Sequence, residues 1–151
     1  MVHREHAQYP VKEISASALS DNSFDTRRNH ILSLDFSGPR TGITDNDLLG
    51  CFAISALDRS KKLATYTHLE PSQALSATEY VVELAEFWGR ARPPVTIEGG
   101  NPSTAAFGRE LFESLTRMGF SVVVGDTFCT EDHFRHLNIS VSLEHGLQAL
   151  N

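Results

Sequence analysis

The sequence predicts a mixed-sheet α/β sandwich that begins with a β-hairpin and contains two main helices. Short apolar runs bounded by turn residues indicate strands, and two capped segments have helical periodicity. Hairpins come first and crossovers later, which favours a mixed sheet over a doubly wound parallel one. With 151 residues, of which 40% are hydrophobic and 21% charged, the chain has the size and composition of one packed domain.

Residues 1–29 differ from the rest because they are polar and have no sustained apolar period. This segment holds 4 basic and 4 acidic residues, so the whole formal charge of −6 belongs to residues 30–151. We expect a mobile N-terminal arm over residues 1–29 and a single domain over residues 30–151. An ordinary frayed terminus explains the arm, and an export signal for a specialised secretion system is the alternative.

The first half of the domain has the pattern of strands. Residues 31–36, 52–57 and 62–69 are predicted strands, and the polar residues 41–47 are predicted to form a loop. A turn at residues 58–61 joins the second and third strands into a hairpin.

The second half of the domain combines helices with strands. Ser76 opens a capping box before a helix that is predicted to end at Pro93, and Asn101 is predicted to cap a second helix that ends before Gly119. Three further strands are predicted, at residues 95–98, 121–124 and 137–143. The apolar run 121–124 is typical of a central buried strand. In residues 137–143 apolar and polar residues alternate, which predicts a strand with one face exposed to solvent.

Composition and charge exclude several classes of function. A charge of −6 without a basic cluster larger than a pair argues against nucleic acid or an anionic membrane as a partner. No apolar run reaches the roughly 18 residues of a membrane span, and no secretory signal is evident. The two cysteines form no disulfide framework, so we expect a reducing cytoplasm in the producing cell. No cofactor is expected.

The predicted hairpin brings a cysteine and a histidine together. In antiparallel pairing centred between Arg59 and Ser60, Cys51 lies directly opposite His68. Directly opposed residues have Cβ atoms about 4.5–5.5 Å apart, so the thiol and the imidazole are within reach of each other. A neighbouring imidazolium stabilises a thiolate nucleophile. The alternative, purely structural interpretation is that Cys51 is a small buried core residue and that His68 has no role connected with it.

Leu48-Leu49-Gly50-Cys51 followed by His68 resembles the cysteine glutamine-deamidase superfamily. That group contains the chemotaxis receptor deamidase CheD, the catalytic domain of cytotoxic necrotizing factors and Burkholderia lethal factor. The toxins carry Leu-Ser-Gly-Cys, and the chemotaxis enzymes have their histidine seventeen residues after the cysteine, as here. The resemblance continues with Pro71, a helix, a strand that ends at Gly99-Gly100, and a second helix, and covers residues 31 to about 146.

The resemblance implies a deamidase-type sandwich that converts a glutamine of a partner protein to glutamate. Cys51 would be the nucleophile and His68 the base, with Asp45 or Thr44 as the third group, where the family often has a threonine. Asp45 is preferred because a carboxylate orients an imidazole well. The chemotaxis loop Gly-Gly-Asn-x-Gly-Arg is replaced here by Gly125-Asp126-Thr127-Phe128-Cys129-Thr130, which favours a toxin or effector that is delivered into another cell.

Other interpretations of the same residues stay open. With an amine in place of water, the same site would catalyse transglutamination. The chain could instead be another cysteine hydrolase, or a catalytically silent adaptor or inhibitor with the deamidase fold. Cys129, His133 and His136, with Asp132 beside them, have the spacing of metal ligands, but no second cysteine pair supports a metal site, and none is expected. The target protein and the oligomeric state are not predicted.

Overall fold

A computed structural model of the chain describes residues 6–10, 29–37, 42–48, 50–71, 76–130 and 137–150. These residues form nine strands and two α-helices, in the following order: β1 (His6–Pro10), β2 (Ile31–Asp35), β3 (Gly42–Leu48), β4 (Phe52–Asp58), β5 (Leu63–Leu69), α1 (Ala77–Trp88), β6 (Val95–Gly99), α2 (Ala105–Arg117), β7 (Val122–Val124), β8 (Leu137–Ser142) and β9 (Gly146–Ala149).

The strands form two sheets. The larger sheet has the order β1-β2-β5-β4-β6-β7, with parallel pairing of β1 with β2 and of β6 with β7 and antiparallel pairing elsewhere. The smaller sheet, β3-β8-β9, is antiparallel throughout. The prediction of a mixed-sheet α/β sandwich is confirmed.

The central strand β4 separates two apolar cores, and residues 52–57 are all buried. Phe52, Ile54 and Ala56 pack with both helices on one side. Ala53 and Leu57 face the smaller sheet on the other side. Because successive side chains of a strand point to opposite faces, one short strand contributes to both cores.

The caps predicted at Ser76 and Gly119 are present, but α1 ends earlier and α2 begins later than predicted. Ser76 Oγ accepts a hydrogen bond from the Glu79 amide at 3.0 Å, and α1 ends at Trp88, short of the predicted stop at Pro93. Asn101 caps a 3₁₀ turn over Pro102–Thr104 that leads into α2, rather than α2 itself. Gly119 follows α2 with a φ of +92°, as a C-terminal glycine should.

Two of the predicted elements are wrong. Residues 41–47 were predicted as a loop, but residues 42–48 form β3, because pairing with β8 stabilises a polar segment that has little strand pattern of its own. The predicted central strand at 121–124 is the edge strand β7, in which Val123 is 58% exposed. A short apolar run does not specify its position in a sheet, because the neighbours come from distant parts of the chain.

Two strands were not predicted at all. β9 follows β8 through a tight turn, and β1 lies within the polar arm and pairs with β2. Residues 1–5 and 11–28 lie outside the described residues, so the division into arm and domain stays a prediction. Among the described helices, none has the length and apolar character needed to cross a membrane.

Candidate active site

The hairpin of β4 and β5 has a different register from the predicted one. Ala53, not Cys51, lies opposite His68, and the last pair before the turn is Asp58 with Leu63. The prediction that Cys51 and His68 oppose each other directly is therefore wrong.

The turn explains the difference in register. The Asp58 carboxylate accepts hydrogen bonds from Ser60 Oγ at 2.6 Å and from the Lys61 amide at 3.2 Å, and Lys62 has a φ of +54°. These contacts keep Asp58 in the strand and centre the loop one residue later than predicted. A one-residue displacement of the centre moves each pairing by two residues, which leaves every side chain on the face where it was expected.

Cys51 and His68 consequently remain on one face as diagonal neighbours. Cys51 lies just before β4 and packs in the same core as Ala53, facing the smaller sheet. Diagonal neighbours in antiparallel sheets have separations of about 7–8 Å, which an imidazole can span. The face was thus predicted correctly, although the pairing was not.

Asp45 reaches His68 from the opposite sheet. It lies in β3 beside a bulge, and its Oδ2 atom is 3.0 Å from His68 Nδ1. Both side chains are 2% exposed. Thr44, the alternative third group, lies on the other face of β3. The structure therefore brings all three predicted site residues, Cys51, His68 and Asp45, together across the interface between the two sheets.

Tyr66 is a fourth member of this cluster, and sequence reasoning missed it. Its hydroxyl donates a 2.6 Å hydrogen bond to the same Asp45 Oδ2 atom that contacts His68. Burial, and then the neighbouring Asp45 carboxylate, raises the pKa of Tyr66 well above its usual value, so the phenol stays a donor. Its position two residues before His68, on the same face of β5, was the available signal.

The surroundings of His68 favour its protonated form. Burial alone lowers the pKa of this imidazole, but hydrogen bonding to Asp45 and the nearby Cys51 outweigh it and raise the pKa to about 9. His68 Nε2 is buried and has no well-formed hydrogen bond with any residue of the described ranges. Cys51 is nevertheless close enough to affect its titration. Catalytic hydrogen bonds are often loose before substrate binds.

Glycines fix the main chain around Cys51. Gly50 has a φ of +68°, and the Gly100 amide donates to the Cys51 carbonyl at 2.8 Å. A Cβ atom on Gly99, whose φ is +88°, would overlap that same carbonyl oxygen. Gly99 is therefore needed for close approach to the cysteine backbone, whereas a Cβ atom on Gly100 would overlap the Phe52 ring.

Asn29 holds the other end of the site and was also missed. Its amide donates to the His68 carbonyl at 2.9 Å, and its Oδ1 accepts from the Glu70 amide at 2.8 Å. Asn29 has a φ of +61°, a conformation that asparagine tolerates better than most residues. It thus binds the main chain on both sides of Leu69, the last residue of β5.

The metal interpretation has no support in the part of the chain that the structure describes, where no group of histidine, cysteine and acidic side chains could hold a metal ion. Cys129 Sγ packs near Gly100 and Gly108, and burial raises its thiol pKa. His133, His136 and Asp132 lie outside the described residues.

The cluster has the chemistry of a nucleophile, a base and an orienting carboxylate. Asp45 fixes the imidazole through Nδ1, which leaves Nε2 to exchange a proton with the thiol. Comparison with known proteins adds nothing to this assignment: no family model matches the chain, and no curated protein matches it.

Proposed function

We propose that this protein is a cysteine-dependent protein glutamine deamidase. The observation that carries the proposal is the 3.0 Å contact of Asp45 Oδ2 with His68 Nδ1, beside the Cys51 thiol. Nucleophilic catalysis requires such an arrangement of nucleophile, base and orienting group. The three residues come from β3, from β5 and from the position just before β4. The resemblance to the deamidase superfamily in the motif around Cys51 supports the same activity.

The proposed reaction has two stages. The Cys51 thiolate forms a bond to the carboxamide carbon, and the C–N bond then breaks as the His68 imidazolium gives its proton to the departing ammonia. The neutral imidazole next takes a proton from water, whose oxygen attacks the thioester. The C–S bond breaks, which leaves glutamate on the target and the thiolate on the enzyme.

Burial of the nucleophile favours a side-chain amide as the substrate. Cys51 is 4% exposed, so a peptide bond within an extended backbone would have to bring its flanking residues into the space between the sheets. A glutamine carboxamide ends a slender stem and can enter without its backbone. The substrate of this site would therefore be a protein with a protruding glutamine side chain.

The setting of the activity belongs to the same proposal. The departure from the chemotaxis loop at residues 125–130 favours a toxin-type or effector-type relative. Such a protein would be made in the cytoplasm of the producing cell and delivered into another cell by a specialised secretion system.

The test is peptide mapping of candidate target proteins incubated with the wild-type chain. We expect conversion of specific glutamines to glutamate, with loss of at least about 10³-fold in Cys51→Ala, because the nucleophile is removed. Cys129→Ala is the matched control and should retain activity. Adding a primary amine separates deamidation from transglutamination, which would attach the amine instead.

Alkylation distinguishes an enzyme from a silent binding module. With His68 as its partner, Cys51 should react with iodoacetamide well below the pH at which an ordinary thiol becomes reactive, and His68→Ala should remove this advantage. A folded protein in which Cys51 alkylates like a free cysteine would contradict the catalytic proposal. Target modification that survives Cys51→Ala would contradict it more directly.

A further inference from the structure

Asn101 lies beside the peptide unit that leads into Cys51. Its side chain follows the Gly99-Gly100 pair, and its Nδ2 atom would be 3.1 Å from a Cβ atom placed on Gly50. Asn101 is 8% exposed, so its carboxamide is withdrawn from bulk solvent. The amide nitrogen therefore lies next to the main chain of the candidate nucleophile.

The orientation of this carboxamide is determined by Ser103. Asn101 Oδ1 accepts a hydrogen bond from the Ser103 amide at 2.9 Å and a second, short one from Ser103 Oγ. A backbone amide can only donate, so the acceptor must be the oxygen. Nδ2 consequently points towards Gly50, and it has no hydrogen-bond acceptor among the described residues.

A second donor without an acceptor lies close by. The main-chain amide of Cys51 donates to no group within the described ranges, although the Cys51 carbonyl is bonded to the Gly100 amide. The left-handed conformation of Gly50, with a φ of +68°, sets the direction of the peptide unit that carries this amide. Two N–H groups of different origin, Asn101 Nδ2 and the Cys51 amide, thus lie at the main chain of Gly50 and Cys51.

We propose that Asn101 Nδ2 and the Cys51 amide form the oxyanion hole of the site. The inference rests on the proposed function, because it needs attack by Cys51 on a carbonyl. As the C–S bond forms, the π electrons of the carbonyl move onto its oxygen, which accepts hydrogen bonds from both donors. When the intermediate collapses, that electron pair re-forms the C=O bond and the leaving group departs. Asn101 is therefore a catalytic residue, since it touches the reacting oxygen.

The cap that Asn101 provides for the 3₁₀ turn Pro102–Thr104 does not account for Nδ2. Capping uses Oδ1 as the acceptor, together with the Asn101 amide, which donates to Thr104 Oγ1 at 3.0 Å. Serine and aspartate cap as well as asparagine does, but neither supplies the amide donor. The two roles can therefore be separated by substitution.

The test compares two reactions of Cys51 in the full chain. Acylation by p-nitrophenyl acetate passes through a tetrahedral oxyanion and releases p-nitrophenolate, whereas displacement of iodide from iodoacetamide forms no oxyanion. Asn101→Ser should slow acylation of Cys51 by about 10²–10³-fold, with alkylation almost unchanged. Mapping the modified peptide separates Cys51 from Cys129, and thermal unfolding shows that the cap is retained.

Asn101→Asp provides the second variant if the serine protein is unstable. Its carboxylate keeps the cap, and any effect of its charge on the thiolate changes both rates together. The ratio of acylation to alkylation therefore reports the surroundings of the oxyanion, where the variant loses the donor and adds a repelling charge. An unchanged ratio in the folded variant would overturn the proposal. So would a wild-type Cys51 that alkylates but is acylated no faster than a free thiol. A lowered ratio without any glutamine conversion would retain the oxyanion hole and refute the deamidase.

Discussion

At the scale of single residues, Asp45 determines the behaviour of His68. It joins two buried groups through one oxygen atom, as acceptor for Tyr66 and as partner of the imidazole. Removing its charge while keeping its shape separates the electrostatic role from packing.

We expect Asp45→Asn to lower the pKa of His68 from about 9 towards its ordinary value of 6.5. Turnover should fall by about 10²–10⁴-fold, because the imidazole loses the group that orients and charges it. NMR titration of His68 and the rate of glutamine conversion measure the two effects. Tyr66→Phe is the comparison: it keeps the ring and the carboxylate, and should change turnover far less. A His68 pKa that stays near 9 in Asp45→Asn would contradict this account.

At the scale of elements, α2 approaches the larger sheet closely at Gly108. A Cβ atom there would lie 2.9 Å from Cys129 Sγ, 3.0 Å from the Phe128 ring and 3.1 Å from the Phe52 ring. Phe52 also stacks on Phe107, with ring centroids 5.8 Å apart. The helix thus needs a glycine at position 108, because the rings of Phe52, Phe107 and Phe128 pack closely between α2 and β4.

Gly108→Ala should destabilise the protein by about 1–3 kcal/mol, as overpacking does. Helix propensity alone predicts the opposite sign, a gain of about 1 kcal/mol. Chemical denaturation measures the difference. Adding Cys129→Ala should restore part of the loss because it removes the nearest atom, and a stabilised single variant would show that the cluster can move aside.

The hairpin shows how an element limits what can be predicted. Its two strands were recognised from their apolar residues, but its register depended on whether Asp58 belongs to the strand or to the turn. That choice is made by the hydrogen bonds of Asp58 to Ser60 and Lys61, which sequence patterns do not specify.

At the scale of the whole molecule, the site lies between two sheets, so its protonation is linked to folding. The folded state binds the His68 proton more tightly than the unfolded chain, because the pKa rises from 6.5 to about 9. The contribution of this bound proton to the free energy of unfolding is therefore complete below pH 6.5 and is lost as the pH rises through about 9.

We expect the free energy of unfolding to fall between pH 6.5 and 9, by an amount on the order of a few kcal/mol. Urea denaturation at several pH values measures this slope. The same series with Asp45→Asn should be flatter, since the folded and unfolded pKa values of His68 then converge. A wild-type stability that rises over this range would exclude a proton held by His68 in the folded state.

The sequence by itself determined the fold class, both helices and the residues worth considering at the site. Apolar periodicity, caps and glycines are local signals, so the Ser76 cap and the turn at Gly119 could be predicted. The face shared by Cys51 and His68 was also predictable, because strand alternation tolerates a register error of two residues.

Tertiary structure alone decided how the site is completed. Asp45 and Tyr66 meet only because β3 joins a different sheet, which packs against the face of β4 and β5 that carries His68. The side-chain Nδ2 atom of Asn101 lies next to Gly50 only because Gly99 and Gly100 bring the end of β6 against the Cys51 backbone. Contacts between segments that are distant in sequence depend on which strands become neighbours, and no local pattern of residues specifies that order.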